Sequence, residues 1–412
     1  MKNFLYTIAT IAIIAYGCNQ ATPAKKKETV QVEDSLQYYP PTPGKIDQQE
    51  FRHYVRVLNN FFESNLLNRN FNGGILIAKN GVTLYEKYAG YADLRTKDPL
   101  TDSTPIHIAS TSKTFTAVAV LQLVQEGKIS LDDSIQRFFP GLPYQGVTVK
   151  MLLSHRSGLP NYLYFMEKAK WDKTKQVTNN DMLQVLYTEK PGIYYQPGKR
   201  FSYCNTNFVL LALIIEKITG KPFPQYMKEK FFTPLQMTHT FVFTLADMGK
   251  VVSSYNYNNT VWDNDYLEGT YGDKNVYSTP RDLLKWDQAL YTDQLIRKSL
   301  LDTAFMPNSN ERPSVHNYGL GFRMLNLKNG KKVIYHFGRW HGFNSAFARL
   351  TEEKATIIIL GNKFNRNIYT VAHKAYDLFG DYQQNPNDED EEDNDSNKGK
   401  SIVSRGISVT RQ

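Results

Sequence analysis

Ile108-Ala109-Ser110-Thr111-Ser112-Lys113-Thr114-Phe115-Thr116 is the stretch on which the reading of this chain turns. An apolar run continues from it to Glu126, and Gly127 supplies a stop, so a helix is expected from about Lys113 to Glu126. Ser110 opens that helix and Lys113 lies three residues on, which puts both side chains on one face, one turn apart. A serine at a helix N-terminus sits at the positive end of the dipole, which favours a developing alkoxide. A lysine packed beside it in apolar surroundings loses its proton more readily and can act as a base. A bare Ser-x-x-Lys also arises by chance, with the serine serving only as an N-cap, so the rest of the chain has to separate the two.

Before this stretch, Phe51, Val55, Leu58 and Phe62 recur at helical spacing in a helix expected from Ile46. Gly74–Lys79 and Val82–Lys87 flank Asn80-Gly81, a strong hairpin signal. After it, residues 130–300 read mostly as helices broken by Pro- and Gly-containing loops, Asn207–Thr219 with Gly220 behind it being the clearest. Strand patterns return in Lys332–Phe337, Phe343–Leu350 and Thr356–Leu360, ahead of a last helix from about Arg366 to Phe379. The economical fold is α+β: an antiparallel sheet built from both chain ends and flanked by helices, with a mainly helical insertion at about 130–300.

The sequence contains no Gly-x-Ser-x-Gly elbow, no His-Glu-x-x-His, no phosphate-binding glycine loop and no dinucleotide fingerprint. None of the eight histidines sits in a convincing metal-ligand spacing. Tyr203 and Asn205 share one short loop after Gln196-Pro197-Gly198; the phenol can relay a proton to a leaving group, and the amide can bind Lys113 or a substrate carbonyl. A second such pair, Tyr257 and Asn259, lies in a polar stretch with no helix behind it and is set aside. His336-Phe337-Gly338 closes a strand, where Gly338 would let a substrate backbone lie along the edge. The N–H of Arg339 can then join that of Ser110 as an oxyanion donor.

In their order along the chain these segments resemble the β-lactamase-related serine hydrolases, in the branch holding class C β-lactamases, D-aminopeptidases, DD-carboxypeptidases and lipase-like esterases. The resemblance covers roughly residues 47–380. It includes Asn72–Asp93, Ser110–Lys113, Leu152–Pro160, Pro197–Asn205, Tyr277–Leu283, Tyr318–Phe322 and His336–Gly338. It implies an acyl-enzyme on Ser110, proton transfer by Lys113 and Tyr203, orientation by Asn205, and no metal or cofactor. Classical relatives carry Lys-Thr-Gly where this chain has His336-Phe337-Gly338. The expectation is an apolar Phe337 ring beside the scissile bond, a weaker grip on substrate carboxylates unless Arg339 replaces it, and an ester or amide substrate of small-molecule or peptide type, peptidoglycan-derived ones included. β-Lactamase or DD-carboxypeptidase activity is the alternative. A peptidoglycan-binding or acyl-accepting sensor without turnover is the alternative of another class.

Length, composition and charge bound the rest. The 412 residues are 41% hydrophobic and 13% aromatic, enough for a large core, and two cysteines, Cys18 and Cys204, exclude a disulfide framework. Residues 381–412 hold eight acids against four bases, so the net charge of +9 divides into −4 for this end and +13 for the remainder. The basic residues are scattered, with no dense run, which argues against nucleic acid and suits an anionic envelope surface. Met1-Lys2-Asn3, the apolar Phe4–Tyr16 and Gly17-Cys18 follow the signal-peptide pattern, and Ala15–Cys18 resembles a lipobox with Cys18 as the lipidated residue. The expected organisation is a lipoprotein signal at 1–18, a polar, proline-containing tether at 19–45, a catalytic domain at 46–382 and a disordered acidic tail at 383–412. This chain would then be held on the cell-envelope membrane by its lipid anchor.

Overall fold

The computed structural model describes residues 41–382. The expected signal peptide with Cys18, nearly all of the tether and the acidic tail lie outside the described residues.

Asp47 starts helix α1 (Gln48–Phe62) by accepting the N–H groups of Gln49 and Glu50. Its buried stripe is Tyr54, Leu58 and Phe62. Strands β1 (Gly73–Lys79) and β2 (Val82–Ala89) form the expected hairpin, with Asn80 and Gly81 both at positive φ. Short strands β3 (Tyr91–Asp93) and β4 (Asp98–Pro99) pair with each other, and β5 (Ile106–His107) leads into α2 (Ser112–Gln125). Helices α3 (Val149–Leu153), α4 (Tyr162–Lys168), α5 (Asn179–Thr188), α6 (Asn205–Thr219) and α7 (Phe223–Met227) then fill the insertion. Within it, β6 (Phe241–Val242) and β7 (Val276–Ser278) join β5 in a small sheet of order β5-β7-β6, which ties the insertion to the residues just before Ser110. Helices α8 (Pro280–Ala289) and α9 (Lys298–Ala304) precede β8 (His316–Tyr318), β9 (Arg323–Asn326), β10 (Lys332–Trp340), β11 (Phe343–Leu350) and β12 (Ala355–Gly361), and α10 (Asn367–Tyr376) follows.

The main sheet has seven strands in the order β2-β1-β12-β11-β10-β9-β8, antiparallel at every pair. Strand β1 pairs with β12, Ile75 opposite Ile359, so the first hairpin and the last strands make one sheet. Ile357, Ile359, Tyr335 and Phe337 face α1 and α10. Ile358, Leu360, Ile334 and Phe347 face the core built with α2, α6 and α8. With both faces covered, β12 is buried along its whole length and reads as a continuous apolar run. Helix α2 is buried on all sides as far as Leu123, packed on α6, which is why its sequence shows no polar face. Among the described residues no helix is long and apolar enough to cross a membrane.

One local expectation is corrected. His336-Phe337-Gly338 does not end its strand: β10 runs on to Trp340, paired with β11 throughout. Its pairing with β9 stops at Tyr335, so from His336 onward that side of β10 has no strand neighbour among the described residues.

Candidate active site

The turn Ala109–Thr111 lies against this open stretch of β10. Thr111 Oγ1 donates to the His336 carbonyl at 3.1 Å, and Ser345 Oγ donates to the Ile108 carbonyl at 2.6 Å. Gly338 makes the approach possible, since a Cβ there would stand 2.6 Å from both the Ser110 nitrogen and the Ile108 oxygen. The glycine therefore serves the close seating of the Ser110 turn, a contact that its reading as room for a substrate did not anticipate. Ser110 is half-buried at the head of α2. Lys113 is fully buried, and its Nζ donates to Ser110 Oγ at 3.1 Å and to the Asp273 carbonyl at 2.8 Å. The ring centroids of Tyr203 and Phe208 lie 5.0 and 5.7 Å from the same nitrogen.

Tyr203, in the loop ahead of α6, is thus brought to Lys113. Behind it stands His155, ring centroids 4.3 Å apart. His155 accepts the Cys204 N–H at Nδ1, and burial, with Lys113, His336 and Arg323 nearby, holds it neutral, well below the ordinary histidine range. Asn205 opens α6 and is half-buried.

His336 faces this cluster. Its Nδ1–H donates to the Phe337 carbonyl at 2.7 Å and its Nε2 accepts from Tyr318 at 3.3 Å. Burial first, then Arg323 and Lys113, hold it neutral. Phe337 does not stand beside the scissile position. Strand alternation turns its ring to the opposite face, where it stacks on Tyr369 at 5.4 Å and meets His373 at 5.2 Å in the core under α10. The Arg339 side chain is exposed and lies over Phe364, 5.9 Å from its centroid. The Phe337 ring is therefore turned away from this cluster, while Ser110, Lys113, Tyr203, His336 and Gly338 are brought together.

The structure also adds residues. Tyr318 and His155 lie in motifs legible along the sequence, which by itself marks no role for either. Arg323, only 9% exposed, places its guanidinium 5.2 Å from the Tyr203 ring centroid, and Asp273 meets Lys113 from 160 residues away; nothing local in the sequence marks either. Asp265, Glu268 and His341 bring potential metal-ligand atoms within 4.8 Å of one another. Glu268 accepts from Trp340 Nε1 at 3.0 Å and pairs with His341 at 2.6 Å. Burial raises its pKa, but His341 and Lys274 outweigh that and hold the carboxyl well below its usual range. The carboxylate is thus already engaged by Trp340 and His341.

Known proteins resemble this chain over most of its length. The family model described as Beta-lactamase matches residues 58–380. Penicillin-binding protein 4* of Bacillus subtilis (strain 168) is 34% identical over 77% of this chain and 73% of its own length. Among solved structures, the octameric penicillin-binding protein homologue from Pyrococcus abyssi superposes with a TM-score of 0.69 at 26% identity, covering 82% of this chain and 79% of that one. The D-amino acid amidase from Ochrobactrum anthropi SV3, complexed with D-phenylalanine, gives 0.60 at 26% identity over 74% and 92%.

Proposed function

We propose that this chain, which belongs to the β-lactamase family and is a serine hydrolase of it, cleaves the amide or ester bond of a small substrate through an acyl-enzyme on Ser110. The observation that carries this is the 3.1 Å contact between Lys113 Nζ and Ser110 Oγ at a buried lysine beside the Tyr203 ring. Ser110 Oγ attacks the carbonyl carbon as its proton passes to Lys113, and Tyr203 returns a proton to the leaving amine or alcohol. The N–H groups of Ser110 and Arg339 hold the oxyanion, and Asn205 orients the substrate. Water then attacks the acyl-enzyme with the same groups moving its protons.

The substrate class we favour is D-amino-acid amides and esters. The likeness to the D-amino acid amidase supports it, as does a neutral His336 where a carboxylate-binding lysine would otherwise stand. β-Lactams or D-alanyl peptides are the second reading, favoured by the Bacillus relative and by the buried Arg323 cation beside Tyr203. A turnover screen of D-amino-acid amides, p-nitrophenyl esters, D-Ala-D-Ala peptides and nitrocefin tests the choice. Amides and esters are expected to turn over fastest; nitrocefin as the best substrate would reverse the order, and acylation without turnover would make the chain a sensor. The sequence of Phe4–Cys18 supports attachment to the cell envelope through a lipid on Cys18.

A further inference from the structure

The peptide that presents Ser110 is held in an unfavourable conformation by residues outside the proton-transfer set. Ala109, immediately before Ser110, has φ +46, a left-handed backbone that alanine rarely adopts. Such a conformation persists only where its surroundings over-determine it. Here the Ala109 N–H donates to His107 Nδ1 at 3.0 Å. A ring that accepts at Nδ1 carries its proton on Nε2, and His107 Nε2 lies 2.9 Å from Asn275 Oδ1, which accepts it. Asn275, itself at φ +72, is anchored in turn: its amide donates to the carbonyls of Glu268 at 2.6 Å and Thr270 at 2.8 Å. The His107 ring is closed in by Tyr277, edge-on at 4.9 Å, and Phe343, stacked at 5.2 Å. Two residues before Asn275, the Asp273 carbonyl holds Lys113. One short segment, 273–275, thus supports the base directly and the nucleophile's peptide through His107.

We propose that His107, as the neutral Nε2–H tautomer fixed by Asn275, is a positioning residue that sets the Ala109–Ser110 peptide, and with it the direction of the Ser110 N–H and Oγ. This rests on Ser110 being the nucleophile. The φ of Ala109 rotates the backbone that carries the following peptide plane, so the same brace aims an oxyanion donor and the attacking oxygen. An imidazolium would turn a second donor on the Ala109 N–H and undo it. Burial holds the ring neutral, with its pKa lowered to about 4 despite Asn275 and the Glu268 charge, while Lys274 and His341 push the same way as burial.

The test is the rate of labelling by a fluorophosphonate in the purified full chain, with thermal melting followed in parallel. His107→Leu removes the acceptor, whereas His107→Asn keeps an oxygen close to the Nδ1 position. Expected is a labelling rate constant lowered ~10- to 100-fold in His107→Leu, the scale of a small misplacement. Probe saturation should be little changed, and most of the rate should return in His107→Asn. Wild-type labelling by folded His107→Leu would overturn the proposal, as would losses in both variants that simply track their melting temperatures. If His107→Leu does not fold, 15N-histidine NMR of the wild-type chain decides: a proton on Nε2 is expected, and one on Nδ1 overturns the proposal. Ser110→Ala in the same assay separates the two levels. Labelling that survives it refutes the nucleophile itself; labelling lost in Ser110→Ala but intact in His107→Leu refutes only the brace.

Discussion

Lys113 Nζ lies 3.1 Å from Ser110 Oγ, while Ser112, the hydroxyl next to it in sequence, is turned away to accept the Val276 N–H at 3.1 Å. The two serines therefore answer differently to the same change. Ser110→Ala should abolish fluorophosphonate labelling and hydrolysis. Ser112→Ala should leave labelling intact but lower stability by about 1–3 kcal/mol, because it strands a buried backbone N–H. Lys113→Ala and Tyr203→Phe should each slow turnover by about 10²–10⁴. Labelling at Ser112, or full activity in Lys113→Ala, would contradict this assignment.

Gly338→Ala should inactivate without unfolding. The added Cβ would stand 2.6 Å from the Ser110 nitrogen, in backbone that cannot swing aside. A loss of about 10²-fold in labelling rate is expected, with circular dichroism little changed. An active Gly338→Ala enzyme would show that the Ser110 turn has room to retreat.

Phe337→Thr should act on stability and leave substrate preference alone. The ring is 1% exposed and stacked on Tyr369, on the face of the sheet away from Ser110. Its removal leaves a cavity and buries a hydroxyl, at a cost of about 3–5 kcal/mol. Urea unfolding measures the cost. A selective gain on nitrocefin over p-nitrophenyl esters would place the side chain back at the substrate.

Acid should destabilise the fold through buried histidines. His107 is lowered from 6.5 to about 4, chiefly by burial, and His155 and His336 lie well below 6.5 for the same first reason. A folded pKa below the unfolded one means that the unfolded chain binds more protons in the window between them. The contribution is complete above about pH 6.5 and is lost as pH falls toward 4, each histidine adding a slope of up to about 1.4 kcal/mol per pH unit. Urea midpoints at pH 7.5 and pH 5 should differ accordingly; equal midpoints would mean that these rings are charged in the native state.

Cys18→Ser should release the protein from the membrane fraction of a bacterial host, since several acyl chains on one cysteine hold firmly. Mass spectrometry of the wild-type N-terminus should find lipidated Cys18. A free N-terminus elsewhere would remove the anchor.

What could be read from the sequence was local or ordered along it. Ser110 and Lys113 meet because they are three residues apart on one helix, Asn80-Gly81 turns because both positions accept positive φ, and Gly127 and Gly220 stop α2 and α6 for the same reason. These are properties of a few neighbouring residues, so the segments and their order already outlined the sheet and the helical insertion. Tertiary structure alone decided which face each strand residue took. Val333 to Gly338 is buried throughout because α10 residues pack on Phe337 on one face while Tyr203 and Tyr318 pack on His336 on the other, so alternation marks two sides without saying which holds the site. Phe337 was therefore placed on the wrong one. Nor does any local pattern join His107 to Asn275 across 168 residues, or Asp273 to Lys113 across 160. Those contacts exist only because β5 pairs with β7 and carries the segment 273–275 against the Ser110 turn, a packing outcome set by the whole core.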